Sequence, residues 1–284
     1  MSIANSSSGG NISISQLPGD VSNSLSQRPK GADLVAHQAR VDHAVLRVHG
    51  VGVAFGGVQA LSGVDLAVTM GTITGLIGPN GAGKTTLFNV ITGLQVQDKG
   101  QVILDGEDIS RLKPHKRARL GMARTFQRLE TFGSMTVFEN VLTAAEISKS
   151  WAHRDSSSAK DIAIRAIDRV GIGALANQRA DSLPVGLARM VEVARALATN
   201  PQVLLLDEPS SGLNEEESVN FANLLIQLAK EGLALLLVEH DMEMVMRICA
   251  FLYVLDFGKL LAAGTPEVVQ ANPAVQAAYL GSEQ

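Results

Sequence analysis

Gly78-Pro79-Asn80-Gly81-Ala82-Gly83-Lys84-Thr85-Thr86 is the stretch on which the reading of this chain turns. It fits the pattern G-x-x-x-x-G-K-[ST], running from Gly78 through Gly83 and Lys84 to Thr85. Ahead of it, Thr72-Ile-Thr-Gly-Leu-Ile77 is an apolar run that predicts a buried strand, and behind it Leu87-Phe-Asn-Val-Ile91 predicts a helix ending near Gly93. Strand, glycine loop and helix in that order make a phosphate cradle. The glycines let successive backbone N–H groups turn inward, and the helix N-terminus adds its positive end. Gly78 to Thr86 would all line a bound nucleotide, with Lys84 reaching the β- and γ-phosphates and the Thr85 hydroxyl taking a place on Mg²⁺. The competing reading is a glycine-rich turn that happens to hold a lysine. The strand and helix in register on either side argue against it.

The chain has 284 residues, enough to bury a large core, and its hydrophobic content of 46% predicts a globular protein. A net charge of −4 argues against a non-specific nucleic-acid binder. Cys249 is the single cysteine, so no intrachain disulfide is possible and a reducing compartment is expected. No apolar run reaches the length of a membrane span, and no secretory signal is evident. Residues 1–43 are serine-rich and carry no aromatic residue, a composition that predicts a disordered leader.

Order is expected from Ala44. Alternation over Ala44–Phe55 and Val64–Val68, with Asp105-Gly106 after Gln101–Leu104, predicts an antiparallel layer beside the nucleotide. Pro114–Arg119 reads as a basic helical turn with a solvated face, a phosphate or headgroup contact being the alternative. From Val137 to Leu197 the texture is helical, broken at Gly171–Gly173 and by a polar loop over Ser148–Ser158. Gln202–Leu206 and Leu233–Val238 are apolar runs typical of parallel strands buried on both faces, separated by a helix over Glu215–Lys230. The methionines of Met242–Met246 read as core filler. Phe251–Leu255, a hairpin at Gly258 and small helices after Pro266 and Pro273 complete the chain.

Val203-Leu-Leu-Leu-Asp-Glu208 is the second nucleotide signal, because it delivers two acids at the carboxyl end of a buried strand, where α/β sheets hold their ligands. Asp207 suits the Mg²⁺ shell and Glu208 suits a base that orients and deprotonates a water. His240, after a third apolar strand, is expected to sense the γ-phosphate. Gln127, after Arg124-Thr-Phe126, could touch Mg²⁺ or water and report their state to the helices.

Taken together, these residues resemble the ATP-binding subunit of an ABC transporter, over about Val45 to Gly281. The aromatic loop falls on Phe55, Walker A on Gly78–Thr86 and the Q-loop on Gln127. The signature falls on Leu183-Pro-Val-Gly-Leu187, Walker B on Val203–Glu208, the D-loop on Ser211–Asn214 and the switch histidine on His240. The resemblance implies a P-loop NTPase fold of the α/β class: a RecA-like core with an antiparallel β subdomain (residues 44–126 and 198–284) and a helical insertion with the signature (residues 127–197). Within the family, Leu-Pro-x-Gly, Ser-Gly-Leu-Asn and the ending Ala278-Tyr-Leu-Gly281 look like branched-chain amino-acid importers; urea importers and lipopolysaccharide exporters look similar.

The resemblance further implies that two ATPase subunits close head-to-tail, each ATP lying between one P-loop and the other chain's signature, where Val185 and Gly186 offer N–H groups. Phe55 would stack on adenine, the alternative being a hydrophobic plug at a strand end. Closure would pull on permease subunits through Gln127, Phe132, Met135 and Glu139, with a solute-binding protein on the far side of the membrane. The expected location is peripheral, on the cytoplasmic face of the inner membrane. A soluble ATPase of nucleic-acid repair or translation, and a binding module without turnover, are the competing classes. The signature departs from the family: Pro184 stands where a serine hydroxyl is usual, and Leu187 replaces a glutamine. The site this signature completes is therefore expected to be the weaker one, and the partner to be a non-identical ATPase subunit.

Overall fold

The computed structural model describes residues 43–151 and 156–280. The expected leader, apart from His43, lies outside the described residues, as does Gly281. Along the chain, β1 (Ala44–Phe55), β2 (Val58–Thr69) and β3 (Ile73–Ile77) precede α1 (Lys84–Thr92). Next come β4 (Lys99–Leu104), β5 (Glu107–Asp108), α2 (Pro114–Arg119) and β6 (Met122–Arg124). The helices α3 (Val137–Trp151), α4 (Ala159–Arg169) and α5 (Val185–Leu197) follow. Strand β7 (Val203–Asp207), α6 (Glu215–Lys230), β8 (Ala234–Val238) and α7 (Met242–Ile248) restore the α/β alternation. The chain ends in β9 (Phe251–Asp256), β10 (Lys259–Gly264), α8 (Pro266–Gln270) and α9 (Pro273–Leu280).

Two sheets result. The antiparallel one has the order β2-β1-β4-β5 and the larger one β10-β9-β3-β8-β7-β6. In the larger sheet β9, β3, β8, β7 and β6 run parallel and β10 is antiparallel to β9. Strands β3, β7 and β8 are buried at every position, as their unbroken apolar runs predict. Because side chains alternate across a strand, β7 and β8 feed two cores. Leu204, Leu206, Leu235 and Leu237 face the layer that includes α5 and α6, while Val203, Leu205, Leu236 and Val238 face α1 and the antiparallel sheet. The Asp105-Gly106 turn carries positive φ at both residues (48° and 81°), the geometry a two-residue hairpin needs. Met244 is buried and Met242 and Met246 pack on the core, in line with a filler role.

Two expectations are corrected. Ser148 to Trp151 belong to α3, so the polar loop starts later; buried Ser148 sends its hydroxyl towards Thr199 O of the turn after α5 (3.5 Å). And α2 is not simply a solvated basic face. Arg117 is 2% exposed, and its guanidinium donates to the carbonyls of Val90 (2.7 Å), Ile91 (2.6 Å), Leu112 (2.9 Å) and Ser110 (3.0 Å). Two of these are in the last turn of α1, where carbonyls run short of helical donors and carry partial negative charge; Val90 O also accepts the Gly93 N–H (3.2 Å). Burial pushes the Arg117 guanidinium down to about 10, opposed by Asp108. Arg117 thus staples the end of the phosphate-loop helix. Arg117→Met keeps the apolar stem but strands these carbonyls, and is expected to cost about 2–4 kcal/mol. By calorimetry that is a Tm lower by roughly 5–15 °C; an unchanged Tm would remove the staple.

Candidate functional site

The phosphate loop joins the end of β3 to α1 and can be built only from glycine at its two tight points. Gly78 has φ 148°, and a Cβ there would lie 2.1 Å from Leu255 O; at Gly83, with φ 106°, a Cβ would lie 2.9 Å from Ala60 O. Gly81, at φ 79°, meets nothing within 4 Å and needs glycine for its backbone alone. Gly258 braces the loop from the β9–β10 turn, donating its N–H to Ala82 O (2.9 Å). Pro79, Asn80, Thr85 and Thr86 complete the curve into α1, whose first N–H groups have no helical acceptor and point toward the cradle.

Lys84 is 7% exposed, and its Nζ donates to Gly78 O (2.6 Å) and Pro79 O (3.0 Å). Burial pulls its pKa below the ordinary lysine value, and the charges of Glu208 and Asp207 partly offset this. The ammonium therefore rests on loop carbonyls and not on a carboxylate. It can exchange these neutral acceptors for phosphate oxygens. The glycine-only cradle and this buried cation fit a polyphosphate.

Three strand ends converge beside it. Asp207 closes β7 and is 6% exposed. Glu208 follows with φ 47°, in the left-handed region that a residue with a side chain adopts only at a cost, held by its N–H to Val238 O (2.9 Å). That turn directs the carboxylate between two residues expected at the site for other contacts: Oε1 is 2.7 Å from His240 Nε2, and Oε2 accepts from Gln127 Nε2 (2.6 Å). Glu208, His240 and Gln127 are thus brought together. Thr85 lies in the first turn of α1, and Asp207 ends β7, which is separated from β3 in the sheet by β8 alone. Among the described residues no cluster of three or more His, Cys, Asp or Glu stands ready for a metal. A Mg²⁺ here would rely on nucleotide oxygens and water for much of its shell, as this hard ion usually does.

Phe55 ends β1 and is 49% exposed, which argues against the plug reading. The signature lies elsewhere, opening α5 with Pro184 as N-cap. Val185 is exposed, and its Cγ1 would sit 3.3 Å from a Cβ at Gly212 of the D-loop. Gly186 is packed against Glu217: a Cβ there would lie 2.6 Å from Oε1. Leu187 packs on the apolar core.

Sequence reasoning passed over the ionic row on α5. Arg189 Nη1 donates to Phe126 O (2.8 Å) and Nη2 to Gln127 O (2.5 Å). Glu192 accepts from Glu130 N (2.6 Å) and from Arg189 (2.9 Å), and Arg195 donates to Glu130 O while stacking 4.6 Å from the Phe132 ring. The available signal was charge at every third position of an otherwise apolar helix. Glu239, 3% exposed, was also missed; it accepts from Ser210 N (2.7 Å) and His240 N (3.0 Å) and fixes the turn after Walker B.

Comparison with known proteins decides the family. The ABC transporter family profile matches residues 61–211, and that of the branched-chain amino acid ATP-binding cassette transporter matches residues 259–284. This chain belongs to the ABC transporter ATP-binding family. It is 41% identical over 249 residues to the high-affinity branched-chain amino acid transport ATP-binding protein BraF of Pseudomonas aeruginosa, covering 84% of this chain and 98% of that protein. LivG of Escherichia coli K12, of the same description, is 39% identical over the same shares. The lipopolysaccharide export ATP-binding protein LptB of Haemophilus influenzae is 36% identical over 79% of this chain and 92% of its own. Among solved structures, the ADP conformation of MJ1267, an ATP-binding cassette of an ABC transporter, superposes with a TM-score of 0.76 at 32% identity, covering 84% of this chain and 99% of its own. The expected P-loop NTPase fold is therefore the fold found.

One consequence concerns Glu192. Burial holds its carboxyl above the usual range, outweighing the lowering by the Glu130 N–H and by Arg189. A carboxyl raised in the folded state contributes stability that is full below its unfolded pKa and is lost as pH rises through the folded one. Wild type is expected to gain stability relative to Glu192→Gln as pH falls from 7 to 5, measured as urea midpoints at both. A pH-independent difference would overturn this.

Proposed function

We propose that this chain is the ATP-hydrolysing subunit of an importer for branched-chain amino acids, seated on the cytoplasmic face of the inner membrane against permease subunits. A solute-binding protein would deliver the cargo. The observation that carries the ATPase reading is Glu208, turned by its strained backbone toward Gln127 and His240 beside the Lys84 cradle. The cargo rests on the relatives BraF and LivG and on the carboxy-terminal match, which favour amino acids over the lipopolysaccharide role of LptB. Among the described residues no helix is long and apolar enough to cross a membrane, which fits attachment through partner subunits.

Bound Mg²⁺ and ATP would supply the bond to be cleaved and the charge that screens it. Thr85, Asp207 and Gln127 would hold the metal shell; Lys84 and the loop from Gly78 to Thr86 would hold the phosphates, with Phe55 against adenine. Glu208 orients a water and takes its proton; His240 would let go of Glu208 to meet the γ-phosphate, and Gln127 would exchange Glu208 for the metal shell. The paired carboxylate is then the resting form.

A second ATPase subunit must complete each nucleotide site, because each motif occurs here once. Leu187, partly buried, packs against the core where a glutamine amide is usual, and the Glu217 carboxylate lies against Gly186 at the start of α5. Both disfavour a γ-phosphate on this signature, and we take the partner to be a non-identical chain with a fuller one.

Glu208→Gln is expected to lower ATP turnover at least 100-fold while ATP binding is retained; turnover near wild type would refute the base. Leu187→Gln is expected to raise turnover with the partner about tenfold through one regained charge-assisted hydrogen bond. Unchanged turnover would remove the asymmetry. Loss of leucine uptake on deletion, restored by wild type but not by Glu208→Gln, tests the cargo.

A further inference from the structure

Arg124 ends β6, three residues ahead of Gln127, and its guanidinium bridges two parts of the site. Nη2 donates to Asp207 Oδ2 (2.7 Å), the two side chains being 10% and 8% exposed. Nη1 donates to Asn89 Oδ1 in α1 (2.9 Å) and lies 3.5 Å from Thr92 Oγ1. The group lies over two rings, with Cζ 5.6 Å from the Phe88 centroid and 5.1 Å from that of Phe126. The register sets this up: Arg124 pairs with Leu205 of β7, and the next residue, Thr125, donates its N–H to Leu205 O (2.9 Å). The strand carrying the cation therefore lies alongside the strand that ends in Asp207.

We propose that Arg124 is a positioning residue for the metal shell: it holds Asp207 by Oδ2, braced on the phosphate-loop helix through Asn89, so that Oδ1 is presented to the cation. The inference rests on reading Asp207 as a shell ligand. Three features support it. A buried ion pair gains little net stability over an apolar pair, so its retention at a reactive centre points to orientation. A planar fork with one arm on Asp207 and the other on Asn89 fixes the carboxylate's rotation in a way that a lysine's single nitrogen cannot. The rings of Phe88 and Phe126 in turn fix the plane of the fork. Groups that orient metal ligands from behind are typically worth 10–100-fold in metal affinity.

The experiment uses the full chain with a fluorescent ATP analogue and Mn²⁺ as an EPR-visible metal. Arg124→Met is expected to raise the Mn²⁺ needed for half-saturation of the nucleotide complex about tenfold. Analogue affinity in EDTA should stay within about twofold. Arg124→Lys should show a similar rise, because charge alone does not restore the fork. Asn89→Leu, which leaves the Asp207 contact intact, should give a smaller rise of about threefold; it also serves if Arg124→Met fails to fold. Unchanged or tighter Mn²⁺ binding in Arg124→Met, or an equal loss of metal-free binding, would overturn the proposal. Asp207→Asn separates the two readings. If it leaves Mn²⁺ affinity unaltered, Asp207 is not a shell ligand and the underlying assignment fails; if it weakens Mn²⁺ while Arg124→Met does not, only the role of Arg124 fails.

Discussion

Everything chemical in this molecule depends on three parallel strands ending side by side. Strand β8 pairs with β7 from Val203↔Ala234 to Asp207↔Val238, and β3 pairs with β8 up to Leu76↔Val238. Each strand is only five residues long and buried throughout, so its register is fixed by apolar packing on both faces. Where the packing stops, the polar residues begin together: the phosphate loop after Ile77, Asp207 and Glu208 after Leu206, Glu239 and His240 after Val238. A slip of one residue in β7 would send Asp207 to the opposite face and swap both cores. The hydrophobic pattern is thus also the alignment device of the site.

The second constraint is mechanical. The row Arg189, Glu192 and Arg195 holds the backbone of Phe126, Gln127 and Glu130 to α5, the helix the signature opens. Gln127 holds Glu208 in turn. A movement of α5 would therefore carry the Q-loop with it and change what Glu208 can touch. The links are hydrogen bonds to main chain, which tolerate side-chain substitution along the Q-loop but not loss of the α5 residues.

Much of this was legible in the sequence because it is written locally. The glycine loop, the acid pair after four apolar residues and the helix over Glu215–Lys230 each announce themselves within a short window, and Asn214 with Glu217 forms a capping box at that start. What escaped is long-range. Arg117 reads as a surface cation until its acceptors, the carbonyls ending a helix some two dozen residues earlier, are in place. Arg124 reads as a residue before the Q-loop until β6 is laid beside β7. Ser148 looks like loop text because serine favours turns, yet the packing of α3 against α5 extends the helix over it. Propensity was overruled where tertiary contacts supplied the energy.

The two halves of the proposed composite site are built to different standards, and the physics separates them. On the P-loop side nearly every group is fixed by something that would clash or go unpaired if it moved: Gly78 by Leu255, Glu208 by Gln127 and His240, Asp207 by Arg124. On the signature side the first turn of α5 presents a proline cap, an exposed valine and a partly buried leucine packed against the core, with the Glu217 carboxylate beside Gly186. A helix N-terminus attracts an anion only as far as its partial positive charge remains unscreened. Glu217 screens it from within the chain, and its capping bonds to Asn214 anchor it there. A γ-phosphate arriving from the partner would meet two backbone N–H groups and a fixed negative charge, whereas ATP arriving at Gly78–Thr86 meets a buried cation resting on exchangeable carbonyls. In a pair with a fuller signature, the stronger site would be the one on this chain's own P-loop.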